Sequence, residues 1–205
     1  MTGTPRWSPD GLWITFDSRV KGVSQIYMIS KDGGDPRQLT RSRVGSMVPA
    51  WSHDGKWIYY SSTRNGVVNI LKRPVTGGAE QPVTTNGGIY AAESPDGKFV
   101  YFSRGLADPT IWRVVVTGGS EELVAGAPRP FSCSHWAIGT TGISIVDQNA
   151  DLLFYAFGNR RVARVFHHPE FLSDWSVALA ADGREILWVQ IDARFADLMQ
   201  VQNFR

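Results

Sequence analysis

The feature that most constrains this chain is a long-period repeat. Trp7-Ser8-Pro9-Asp10-Gly11 returns as Trp51-Ser52-His53-Asp54-Gly55, then altered as Glu93-Ser94-Pro95-Asp96-Gly97, and finally as the bare pair Asp182-Gly183. With Thr141-Gly142 taken as the fourth turn, the turn glycines stand 44, 42, 45 and 41 residues apart. A period of roughly 40–45 residues is that of a four-stranded propeller blade. One such unit cannot bury its own faces, so the 205 residues are predicted to form a single all-β array, not two small domains.

The second repeat shows how one blade is written. Met47 to Ser52 reads as an inner strand ending in His53-Asp54-Gly55, where Asp-Gly supplies the left-handed backbone of a tight hairpin. Trp57 to Ser62 is a dense aromatic and β-branched run, followed by the loop Thr63 to Gly66. Val67 to Pro74 makes a third strand, Thr76-Gly77-Gly78 turns it, and Glu80 to Thr84 makes a fourth. The other repeats keep phase. Three residues beyond the turn glycine stand Ile14, Ile58, Val100, Ile145 and Ile186, and five beyond stand Phe16, Tyr60, Phe102, Asp147 and Trp188. Period-2 spacing puts both positions on one strand face, where they can pack against the next blade. Gly33-Gly34, Gly77-Gly78 and Gly118-Gly119 mark the turn before the outer strand.

The prediction is therefore a β-propeller of about five antiparallel blades, covering 4–40, 47–84, 89–124, 131–166 and 174–205 within a single domain, 1–205. Trp7, Ile14, Phe16, Trp51, Ile58, Tyr60, Val100 and Phe102 are expected to be buried between blades. The fourth repeat departs most, with Asp147 where an aromatic is expected, and should be the looser blade. The fifth reaches only a third strand at Arg205, so the last blade is incomplete, as in a fragment of a larger propeller. An unpaired edge there is a route to self-association.

Composition narrows function by exclusion. Net charge is only +2, so the chain does not advertise a nucleic-acid partner. Cys133 is the single cysteine, which rules out an intrachain disulfide. Met1 to Trp7 lacks the basic and apolar regions of a secretory signal, and no apolar run approaches the ~18 residues needed to span a bilayer. A soluble chain without its own export signal is expected.

The signature Pro-x-Trp-Ser-Pro-Asp-Gly-x-x-Ile-x-Phe-x-Ser stands at Pro5 to Ser18, and at Pro49 to Ser62 with His53 in place of proline and Tyr60 in place of phenylalanine. It resembles the WD40-like propeller repeats of the TolB family, most strongly over residues 5–124. Such repeats occur in TolB itself, in propellers attached to serine peptidases, and behind winged-helix domains of bacterial one-component regulators. The ending Asp197 to Arg205 resembles the C-terminus of that last group. The resemblance implies the sensor part of a longer regulator whose DNA-binding and membrane-spanning segments are not in this chain. It implies a periplasmic location for a membrane-anchored parent and a cytoplasmic one otherwise.

Catalytic motifs do not stand out. Gly142-Ile143-Ser144-Ile145-Val146 lacks the closing glycine of a nucleophile elbow and sits in a predicted strand. Cys133 and His135 have the residue types of a thiol nucleophile and base, yet a lone buried cysteine usually serves packing. His167-His168-Pro169-Glu170 has no second ligand cluster, and Asp10, Asp54, Asp96 and Asp182 are spread around the ring and explained by turn chemistry. No metal, cofactor or enzymatic activity is expected. Strand direction adds one inference. Asp-Gly and Gly-Gly turns fall on one face, whereas the second-to-third strand loops and blade connections fall on the other. That second face carries Arg19, Lys21, Arg41, Arg43, Arg64, Arg104, Arg129 and Arg194 against Asp108, Asp147, Glu170 and Asp192. Arg41, Arg43, Arg64 and Arg129 are the candidate contacts for a protein or a small anionic ligand. The expected function is thus non-enzymatic binding or sensing; the competing readings are an accessory propeller of a serine peptidase and a structural fragment without activity of its own.

Overall fold

The computed structural model describes residues 2–20, 22–167, 178–179 and 186–187. Its strands follow from the hairpin chemistry of the repeat. In the first turn Ser8 Oγ accepts the Trp13 N–H at 2.9 Å and donates to Asp10 Oδ1 at 2.5 Å, while Asp10 Oδ1 accepts the Leu12 N–H at 3.0 Å. Gly11 takes φ +68°, which an L-residue adopts only at a cost. Ser52-Asp54-Gly55 and Ser94-Asp96-Gly97 repeat these bonds. The Ser-x-Asp-Gly motif is thus a self-contained turn. The serine hydroxyl and the Leu12 N–H hold the Asp10 carboxyl below the usual range, and the same groups act on Asp96 and Asp54.

Each turn launches an antiparallel meander. Blade one is β1 (Thr2–Trp7), β2 (Trp13–Ser18), β3 (Gln25–Ser30) and β4 (Gly33–Gln38). Blade two is β5 (Met47–Trp51), β6 (Trp57–Arg64), β7 (Val67–Pro74) and β8 (Gln81–Pro82). Blade three is β9 (Ile89–Glu93), β10 (Phe99–Ser103), β11 (Ile111–Val115) and β12 (Glu122–Leu123). Blade four is β13 (Trp136–Ile138), β14 (Gly142–Val146), β15 (Asp151–Ala156) and β16 (Val162–His167). The chain is all-β, with four four-stranded antiparallel sheets among the described residues, as a partial propeller requires. β17 (Ala178–Leu179) and β18 (Ile186–Leu187) pair antiparallel around the predicted Asp182-Gly183 turn. The predicted rest of the fifth blade, including its missing outer strand, lies outside the described residues.

The core lies in the seams between blades. Ile26, Met28 and Leu39 of blade one pack on Ile58, Tyr60 and Leu71 of blade two. Tyr59 and Ile70 then meet Val100, Phe102 and Val114, and Tyr101 and Ile111 meet Trp136, Ile143 and Ile145. Burying each such side chain contributes about 1.5–3 kcal/mol. In blades two and three, the residues three and five beyond the turn glycine share one face as the spacing predicts, but that face meets the preceding blade and not the next.

Two further expectations are corrected. Trp7 is 60% exposed and Ile14 and Phe16 are half-buried, because on blade one this face is not covered by another described blade, and Trp51 is only half-buried beside the seam between blades one and two. Gly142 is not a turn glycine: it opens β14, and a Cβ there would meet Tyr155 O at 2.3 Å and the Phe154 ring at 2.5 Å. The blade-four hairpin is two residues shorter than the others, since Ile138 pairs with Ile143 whereas Trp51 pairs with Ile58 and Glu93 with Val100. Ile143 and Ile145 therefore fill the seam. Asp147, expected in an aromatic position, instead accepts the Asn149 and Asp151 N–H groups in the next turn. The part of the seam with blade three that Trp136, Ile143 and Ile145 fill is fully buried.

Candidate functional site

The loop face begins with the connection from β4 to β5. Gln25 holds it: Oε1 accepts from Thr40 Oγ1 and the Ser42 N–H, both at 2.9 Å, and Nε2 donates to Ser42 O at 2.6 Å. Thr40 Oγ1 in turn accepts the Ile26 N–H at 2.9 Å. Further along, the Ser46 N–H donates to Ser24 O at 2.8 Å and Ser62 Oγ donates to Gly45 O at 2.5 Å, tying the connection to both adjoining blades. From this anchored segment Arg41 and Arg43 project into solvent. Neither makes a side-chain hydrogen bond or ion pair among the described residues.

The other two candidate arginines are already engaged. Arg64 bonds Glu80, Ser62 Oγ and Thr63 O, and Glu80 also accepts from Tyr60 OH at 2.7 Å. Arg129 donates to Ala107 O at 2.9 Å and lies 3.7 Å from Asp108. Arg104, counted above among the face's positive charges, is a structural strut. It bonds Glu121 at 2.5 Å and Asn86 O at 2.9 Å, and its guanidinium carbon lies over the Trp112 ring, 3.8 Å from the centroid. Glu121 also accepts the Thr85 N–H at 2.7 Å. Burial acts against its charged form, but the Thr85 N–H and Arg104 prevail and hold its carboxyl below the ordinary glutamate value. Among the described arginines of this face, Arg19, Arg41 and Arg43 are exposed without a side-chain partner, and Arg41 and Arg43 stand together on the anchored connection.

The remaining sequence candidates are Cys133 with His135 and the run from His167 to Glu170. Burial pushes the Cys133 thiol up, which reduces its thiolate fraction, while its carbonyl accepts from Trp136 Nε1 at 3.0 Å. His135 is buried with Nδ1 2.5 Å from Ser132 Oγ. His167 pairs with Asp151 at 2.8 Å, and His168 to Glu170 lie outside the described residues. Among the described residues no cluster of three or more His, Cys, Asp or Glu has metal-binding geometry, and no helix is long and apolar enough to cross a membrane.

A second site was missed by the sequence reading. On the turn-bearing side, blades three and four part to leave a cleft of about 670 Å³. The short blade-four hairpin accounts for it. At the seam between blades two and three, Glu93 bridges Tyr59 OH at 2.5 Å and the His53 N–H at 3.1 Å, and Lys72 crosses to Val116 O at 2.7 Å. At the next seam Ile138 stands where Glu93 does. Arg113, which stands where Lys72 does, turns to its own outer strand and grips Glu122 through Nε at 3.2 Å and Nη2 at 3.0 Å. The wall is aromatic: Tyr101 stacks on Phe157 at 5.8 Å, and Phe99 and Tyr155 meet these two edge-on, each at 6.3 Å. Arg160 stands at the rim. The signal available in the sequence was the shortened spacing between Ile138 and Ile143, hidden by aligning the repeats on glycine.

Comparison with known proteins agrees with this architecture. The PD40 model, TolB beta propeller domain, matches residues 1–129. The structure is similar to TolB of Acinetobacter baumannii, with 19% identity and a TM-score of 0.77, over 94% of this chain and 49% of that one. It is also similar to the TolB-type protein of Agrobacterium tumefaciens, with 26% identity and a TM-score of 0.64, over 78% of this chain and 63% of that one. A puromycin-hydrolyzing peptidase of Mycobacterium tuberculosis shares the fold at 16% identity and a TM-score of 0.62, over 80% of this chain and 28% of that one. The chain thus spans less than two thirds of each of these proteins, and a search of curated proteins finds no match. With well over half its length matched by the family model and its blades built on the Ser-x-Asp-Gly hairpin, the chain belongs to the TolB β-propeller family.

Proposed function

We propose that this propeller is a non-enzymatic docking module whose loop face holds an acidic protein surface or a small anionic ligand through Arg41 and Arg43. The carrying observation is the pairing of two free arginines on one anchored segment: Arg64, Arg104 and Arg129 have partners within the fold and the unpaired Arg19 stands alone between β2 and β3, while Arg41 and Arg43 stand unpaired together on a connection that Gln25 anchors. A guanidinium offers two parallel donors to a carboxylate or phosphate. Presenting it on a fixed segment lowers the ordering cost of binding. In a longer parent protein this would make the propeller the sensing or docking part.

Poly-L-glutamate is a suitable probe. Binding by the 205-residue chain should weaken as salt is raised, since exposed charges are screened over about 8 Å at physiological ionic strength. Arg41→Glu with Arg43→Glu should abolish it with an unchanged melting curve. Full affinity in that double variant would overturn the proposal.

A further inference from the structure

We propose that the cleft between blades three and four is a binding site for an aromatic carboxylate, meaning a planar ring with a carboxyl group a short chain away. The cleft's volume lies within the range of small-molecule sites, roughly 300–1,000 Å³. Its chemistry is divided in a way that selects such a ligand. Tyr101 and Tyr155 are buried, whereas Phe99 and Phe157 are half-buried, and the ring surface left to a guest is what Arg113, 4.5 Å over Phe99, and Tyr101, stacked on Phe157, do not cover. Aromatic rings favour stacked or edge-on partners, and the wall already alternates between these two geometries.

The charges decide the other end of the ligand. Arg113 is neutralised by the two bonds to Glu122, and Asp96 by its turn donors and Lys98 at 3.4 Å. Arg160 is exposed and makes no side-chain hydrogen bond or ion pair among the described residues. Its backbone is fixed, for φ is +56° and its N–H donates to Ala156 O at 2.9 Å. A non-glycine residue in the left-handed region is uncommon and persists where the surrounding structure holds it. The unpaired positive charge at an aromatic cleft's rim therefore favours a carboxylate over an amine. Nothing in this site is shared with Arg41 and Arg43, which lie at the opposite ends of the strands.

The test is titration of the 205-residue chain with 3-phenylpropionate, followed by ligand-observed NMR and calorimetry. Saturable binding is expected, with 3-phenylpropanol and hexanoate each much weaker because one lacks the charge and the other the ring. Arg160→Glu should weaken binding about tenfold, the loss of one charge-assisted contact. Thr140→Trp, which places an indole into the cleft from its exposed rim, should abolish binding with an unchanged melting curve. A peptide ending in phenylalanine that competes with the probe, while its C-terminal amide does not, would identify a chain terminus as the natural source. Competition failing with the probe still bound would identify a free small acid. Absence of saturable binding, or equal affinity in both variants, would overturn the proposal, as would hexanoate binding as tightly as the probe.

Discussion

At the residue scale, single polar groups stitch the seams. Trp51 donates its indole N–H to Arg6 O at 3.1 Å across the first seam. Trp51→Phe keeps an aromatic side chain but loses that bond and part of the indole's packing, so it should lower the unfolding free energy by at least about 1 kcal/mol in denaturant titration. Arg104 and Glu121 form a more demanding pair, since both are largely buried. Arg104→Ala leaves the Glu121 carboxylate without its cation and should cost about 3 kcal/mol. The pair also gives a pH dependence. Because the folded carboxyl titrates below the ordinary value of 4.5, its contribution is complete above that pH and is lost as pH falls through the lower folded value. The denaturation midpoint should decline on acidification below about pH 4.5, and Glu121→Gln should remove part of that decline.

At the element scale, glycine has two distinct roles that the sequence alone does not separate. Gly11 sits at φ +68° with open space around it, so Gly11→Ala should cost about 1 kcal/mol of backbone strain. Gly142 has no such backbone need but lies against Tyr155 O and Phe154, so Gly142→Ala should cost about 3 kcal/mol through overpacking. Chemical unfolding of the two variants side by side checks the order. The comparison shows what was legible in the sequence. Ser-x-Asp-Gly encodes its own hydrogen bonds, so the first three hairpins could be read from residues a few positions apart. The fourth could not be phased by glycine, because close approach between strands also selects glycine. The apolar alternation Ile143-x-Ile145 carries the true register, and aligning on it would have shown the missing two residues. The cleft depends on how hairpins some 45 residues apart meet across a seam, a relation that local pattern does not contain. In the same way the arginines were legible as charges, but their pairing with Glu80, Glu121 and Asp108 was not.

At the scale of the whole molecule, burial of a blade face requires a neighbour, and this explains the largest misplacement of a core residue. Trp7 pairs with Ile14 as Trp51 pairs with Ile58, and Phe16 stacks on Tyr27 at 5.8 Å across the same face. On blade two the matching set is sealed by blade one; on blade one it stays partly open to water. A contiguous apolar patch of this kind favours association, and its shape already suits a blade. The chain should therefore self-associate through this face, with sedimentation velocity showing a weight-average mass that rises with protein concentration. Trp7→Glu with Phe16→Glu should reduce that rise sharply. Neither residue supports a sealed seam, but the Phe16 change also loses the stack on Tyr27, so a fall in stability of about 0.5–1.5 kcal/mol should accompany the loss of association. An edge-strand route through residues 196–202, outside the described residues, predicts the opposite outcome: association would persist in the double variant, since backbone pairing does not depend on those two side chains.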